Sequence, residues 1–113
     1  MTRSHVTTHV LDATTGTPAV GVSVTLSARE QDGWVVIASD ETDADGRVGE
    51  LGPEQLDAGT YQVRFETGEY FARCGQETFY PTVKIAFAIS DEEQHYHVPL
   101  LLSPFAYSTY RGS

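Results

Sequence analysis

Cysteine is nearly absent: Cys74 is the only one in 113 residues, so no intrachain disulfide can form. A small secreted domain usually leans on several such bridges, and the stretch before Val6 is too short and polar for a secretion signal. A cytosolic location is therefore expected. Basic residues are also scarce, with seven Lys and Arg against sixteen Asp and Glu, for a formal net charge of −9. The seven are scattered and build no stripe that would hold a nucleic-acid backbone or an anionic membrane surface. No apolar run approaches the length of a membrane span. Convincing helices are almost missing too, which removes the crossovers an α/β layout requires.

What remains is a set of short alternating segments. Val22, Val24, Leu26 and Ala28 alternate with Ser23, Thr25, Ser27 and Arg29, the signature of a half-buried strand. The same period runs through Tyr61, Val63 and Phe65, through Val83, Ile85, Phe87 and Ile89, and through Tyr96, Val98, Leu100 and Leu102. Gly33 turns the chain into Trp34-Val35-Val36-Ile37-Ala38. Asp43-Ala44-Asp45-Gly46 is a second turn, in which Gly46 supplies a positive φ. One short helix is predicted, capped by Thr67, running through Glu69-Tyr70-Phe71-Ala72-Arg73 and stopped by Gly75. Residues 1–113 read as a single domain, an antiparallel β-sandwich with one modest core. Cys74 is expected to be a small packed side chain rather than a nucleophile.

Strand geometry then sorts the histidines. If Tyr96, Val98, Leu100 and Leu102 face the core, His95, His97, Pro99 and Leu101 face away from it. If Val6 and Val10 face the core, His9 and Leu11 face away as well. Leucines beside histidines on an outer face suggest a surface covered by another subunit. Such histidines have two readings: polar surface, to which His5 and His95 are assigned, or a site, which stays open for His9 and His97. His95-x-His97 also has the spacing of a same-face zinc or copper chelate, although no cysteine or carboxylate stands at a familiar partner spacing. Arg47 follows the glycine turn, where most arginines are solvated or make weak surface pairs. The strand-like Tyr107-Ser108-Thr109-Tyr110 leads directly into Arg111-Gly112-Ser113, and a terminus built this way is expected to dock rather than fray.

These segments resemble the 5-hydroxyisourate hydrolase family, the transthyretin-related enzymes of urate breakdown. The matching residues are Thr8-His9-Val10-Leu11-Asp12 with Gly16-x-Pro18-Ala19, Thr42-Asp43-x-Asp45-Gly46-Arg47, Phe79-Tyr80-Pro81, His95 through Pro104, and Tyr107 through Ser113. The terminal Tyr110-Arg111-Gly112-Ser113 is the most specific of them, because transthyretin itself departs from it. The resemblance implies a transthyretin-like sandwich of two antiparallel sheets with a short helix, assembled as a homotetramer, a dimer of dimers. It implies a catalytic set of His9, Arg47, His97 and Ser113, with Tyr110, Arg111 and Gly112 shaping the pocket for 5-hydroxyisourate, and neither metal nor cofactor. Three other readings stand beside it: a carrier of a hydrophobic hormone, a structural sandwich module and a metal-dependent hydrolase.

Overall fold

A computed structural model describes residues 4–112. Nine strands and one helix follow each other as β1 (Val6–Asp12), β2 (Thr17–Pro18), β3 (Ser23–Glu30), β4 (Gly33–Glu41), β5 (Arg47–Val48), β6 (Gly59–Phe65), α1 (Thr67–Arg73), β7 (Val83–Ile89), β8 (Tyr96–Ser103) and β9 (Ala106–Thr109). They form two sheets. One has the order β2-β1-β8-β9, with β5 also paired to β1; the other has the order β4-β3-β6-β7. The inner faces carry the residues whose alternation marks them in the sequence. Val24, Leu26, Val63, Phe65, Val83 and Ile89 from one sheet meet Val6, Val10, Leu100 and Leu102 from the other. All ten are almost wholly removed from water, and full burial of such a side chain stabilises by roughly 1.5–3 kcal/mol each.

The sandwich and its single helix match expectation, with one difference in pairing. β1 and β8 run parallel, Val6 opposite Tyr96 through Asp12 opposite Leu102, while the other pairs are antiparallel. These two strands come from opposite ends of the sequence. No hairpin constrains their direction, and a parallel pair needs only a long connection.

Helix α1 begins at Thr67, one residue earlier than a Thr67 cap would require. Glu66 holds the cap position without a side-chain capping bond. The Thr67 hydroxyl instead donates to the Tyr80 carbonyl at 2.7 Å. The stop at Gly75 is as expected: its φ is +68°, and Gln76 N–H reaches back to Phe71 O at 2.8 Å while Gly75 N–H reaches Ala72 O at 3.1 Å. Cys74 is exposed, not packed. It is the helix's C-terminal cap, at the point where the Gly75 turn leads the chain off. The helix is tied to the first sheet through Tyr70, whose hydroxyl donates to the buried Asp12 carboxylate at 2.7 Å. Burial and the neighbouring carboxylate push the Tyr70 phenol well above its ordinary range.

Candidate active site

β1 organises the site because it has neighbours on both edges. On one edge His9 stands opposite Arg47 of β5. On the other, Thr7 stands opposite His97 and His9 opposite Pro99 of β8. Residues opposed across a ladder share a face, and so do residues two apart along a strand. Thr7, His9, Arg47, His97 and Pro99 therefore lie on one face, opposite to the one carrying Val6 and Val10. The sequence pattern anticipates this outward set, and the register shows how its members neighbour one another.

Arg47 owes its position to the turn before it. Gly46 has φ +75°, and a Cβ there would lie 2.5 Å from the Val10 carbonyl oxygen, so glycine is required. Gly46 O accepts from Val10 N–H at 2.7 Å, which fixes the turn to β1. Asp43 closes it, its Oδ1 accepting from Asp45 N–H at 2.8 Å and from Arg47 N–H at 3.0 Å. These amides, with the charges of Arg47 and His9, hold the Asp43 carboxyl below its usual value. A depressed carboxylate pKa adds stability that is present above the unfolded value and lost as pH falls through the folded one. The Asp45 and Arg47 amide resonances are thus expected to stay constant through neutral pH and to shift only in acid, below about 3.9. In Asp43→Ala they should lie at altered positions at every pH. NMR titration of those two amides checks both points, and a midpoint above the ordinary aspartate value would sink the assignment.

His97 is held from two sides. Gly112 forms an isolated antiparallel bridge to it, its N–H donating to the His97 carbonyl at 2.9 Å. A Cβ on Gly112 would lie 2.5 Å from His97 Cδ2 and 3.2 Å from Pro99 Cγ. The tail therefore packs directly against the imidazole, as its composition suggests. On the other side, His97 Nδ1 lies 2.8 Å from the Thr7 hydroxyl. Ser113, expected to be catalytic, lies outside the described residues.

The remaining expected residues lie further round. Arg111 stacks its guanidinium over the Tyr96 ring, 4.4 Å from the centroid, and donates from Nη2 to Gln94 Oε1 at 2.9 Å. Tyr96 belongs to the core-facing set, and its hydroxyl accepts from the backbone N–H groups of Ser90 and Asp91 at 3.1 and 3.0 Å. Those amides, and Arg111, lower the Tyr96 phenol pKa. Tyr110 and Arg111 both line a cavity of about 290 Å³ with Ile85, Phe87, Tyr96 and His97. Arg111 is common to two recesses: this cavity, which His97 also lines, and a shallow one lined with Gln94, His95 and Gly112.

Two histidines differ from the surface reading. His5 is buried. Its Nδ1 accepts from Leu56 N–H at 2.9 Å, which leaves Nε2 to donate to Gln94 O at 2.6 Å. It precedes the first residue of β1, so strand alternation does not govern it. His95 is half-buried, with Nε2 2.9 Å from the same Thr7 hydroxyl that His97 meets. The two nitrogens that suggested a chelate thus converge on a hydroxyl, and no group of three metal-ligating side chains occurs among the described residues. Thr7 and Gln94 shape the site without being singled out by the sequence, and Asp43 and Tyr96, expected only as turn and core-facing residues, shape it too. A signal for Thr7 existed in its outward parity with His9, though no motif draws attention to a threonine.

Known proteins resemble this chain in both sequence and fold. The profile of the HIUase/Transthyretin family matches residues 6–112. A protein from Salmonella dublin named 5-hydroxyisourate hydrolase is 49% identical over 106 residues, covering 93% of this chain and 78% of that protein. The solved structure of the Klebsiella pneumoniae 5-hydroxyisourate hydrolase superposes with a TM-score of 0.85 at 42% identity, covering 96% of this chain and 98% of that one. The crystal structure of transthyretin from Sparus aurata superposes with a TM-score of 0.91 at 38% identity, covering 97% of each chain.

Proposed function

The chain belongs to the HIUase/Transthyretin family, and from that premise we propose that it is a 5-hydroxyisourate hydrolase. It opens the six-membered ring of that substrate to give 2-oxo-4-hydroxy-4-carboxy-5-ureidoimidazoline, without a metal. The observation that carries this reading is the register of β1, which sets His9 against Arg47 on one edge and Thr7 against His97 on the other. Fold likeness alone would not select it, because a transthyretin superposes at least as well as a hydrolase. A carrier of hydrophobic hormones wants an apolar channel, whereas two imidazoles and a guanidinium suit a small polar heterocycle.

Hydrolysis of a ring amide needs an activated water, a stabilised oxyanion and a protonated leaving nitrogen. Imidazole can serve both proton steps because it titrates near neutral pH. One of His9 and His97 takes a proton from water as its oxygen bonds to a ring carbonyl carbon. The carbonyl oxygen becomes an oxyanion, and the fixed charge of Arg47 stabilises it. The C–N bond then breaks, the nitrogen receives a proton from an imidazolium, and the carboxyl product leaves. Ser113 completes the proposed catalytic set, with Tyr110, Arg111 and Gly112 shaping the pocket.

The same face carries half-buried Leu11 and Leu101, which supports a site lying where protomers meet in a homotetramer, a dimer of dimers. No helix among the described residues is long and apolar enough to cross a membrane; the proposed location is cytoplasmic. Stopped-flow measurement on enzymatically generated 5-hydroxyisourate tests the activity, by following loss of its ultraviolet absorbance against the spontaneous background. Acceleration that survives thorough chelation is the expected result. No acceleration, together with saturable thyroxine binding, would favour the carrier reading instead.

A further inference from the structure

Thr7 is 7% exposed, so water has little access to its hydroxyl. That hydroxyl has one proton and can donate to only one acceptor at a time. Its oxygen lies 2.9 Å from His95 Nε2 and 2.8 Å from His97 Nδ1, both within hydrogen-bond range. The two rings therefore cannot both present bare nitrogens to it. If His97 Nδ1 carries a proton and donates it to Thr7, the hydroxyl proton is left for His95 Nε2. If His97 Nδ1 is bare, Thr7 must donate to it, and His95 must present an N–H at Nε2. The state of one ring limits the state of the other.

We propose that Thr7 is a positioning residue that couples the tautomers of His95 and His97, so that His97 offers a bare Nε2 to the site only while Thr7 donates its proton to His95. This rests on the reading of His97 as a proton-handling group in the hydrolysis. The tautomer at one imidazole nitrogen is set by the hydrogen bond at the other, and a buried chain of such bonds is polarised along its length. The chain also gives the proton a route. When His97 gains the water proton at Nε2, its Nδ1 proton passes to Thr7 Oγ1 as the Thr7 proton passes to His95 Nε2. His97 is then neutral and His95 is the cation, with the total number of protons unchanged. The reverse step restores the imidazolium whose Nε2 proton goes to the departing nitrogen. Charged and titratable groups near the pair include His9 on β1, Arg47 on β5 and Arg111 in the tail. His9 and Arg47 stand on the same face as His97, and Arg111 is engaged by Tyr96 and Gln94.

The test uses the full-length protein labelled with ¹⁵N and long-range proton–nitrogen correlation of its imidazoles, at a pH where both rings are neutral. In the wild type, His97 and His95 should each be protonated at Nδ1 and bare at Nε2. Thr7→Val, nearly the same shape without the hydroxyl, should move His97 toward the Nε2-protonated form. It should also lower kcat roughly tenfold with KM within about twofold. Thr7→Ser should restore both the wild-type tautomers and the rate. A wild-type His97 with a bare Nδ1, or a Val variant with unchanged tautomers, would overturn the proposal. If the Val variant does not fold, the wild-type and Ser spectra decide. The spectra need no turnover, so a protein inactive toward 5-hydroxyisourate would defeat the functional reading and still leave the coupling open to this test.

Discussion

Alanine at His9, Arg47 or His97 is expected to lower kcat/KM for 5-hydroxyisourate by about 10²-fold or more in each case, with no loss of folded protein. A positioned acid–base group contributes about 10²–10⁴-fold, and removing a donor to a developing oxyanion costs about 10²–10³-fold. Stability should change little, because the removed parts lie on the face away from the core. His9 and His97 are half-buried and Arg47 is exposed. Their backbones stay locked in the β1, β5 and β8 ladders whichever side chain is trimmed. Stopped-flow rates and thermal melts on the same samples separate the two effects. Near wild-type rates in all three variants would remove the mechanism.

Gly112→Ala should be nearly as damaging, through a single methyl group. The new carbon would sit 2.5 Å from His97 Cδ2, closer than such contacts ever come, so something must move. Pro99 cannot yield readily, since its ring is rigid and buried. If the imidazole rotates away, it leaves the Thr7 hydroxyl. If the tail lifts instead, the 2.9 Å bond from Gly112 N–H to His97 O is lost. Either displacement approaches an ångström at a group that must meet its substrate accurately, and misplacement on that scale can cost about 10²-fold. The melting temperature should stay close to wild type, because the tail covers only Tyr96 at the margin of the core and leaves the valines, leucines and Phe65 between the sheets untouched. An alanine variant with full activity would show that tail and imidazole do not need this close approach.

Much of this architecture was legible in the order of residues. A period of two identified β3, β6, β7 and β8 and assigned their faces, because one side of each strand packs into the core. The outward parity of His9 and His97 came from the same rule, and Gly46 and Gly75 announced their turns. Alternation gives a side chain's face, however, and says nothing of which strand lies next to it. The parallel pairing of β1 with β8 was therefore hidden, and with it the meeting of Thr7 with His95 and His97. His5 went astray because it stands just before a strand, where parity no longer holds. The helix boundary slipped by one residue at Thr67 because a tertiary bond to Tyr80 outweighed the local capping preference. Cys74 looked packed because cysteines usually are, but it fell on the last turn of a helix that ends in solvent.

β1 carries Thr7 and His9 outward between core residues Val6, Thr8 and Val10. An offset of one position along either neighbour would drive an imidazole into the interior and bring valine to the surface. No partly correct arrangement would retain function. Specific activity of a renatured sample would thus count the molecules whose first strand has found its native alignment, a quantity that total strand content by circular dichroism cannot supply.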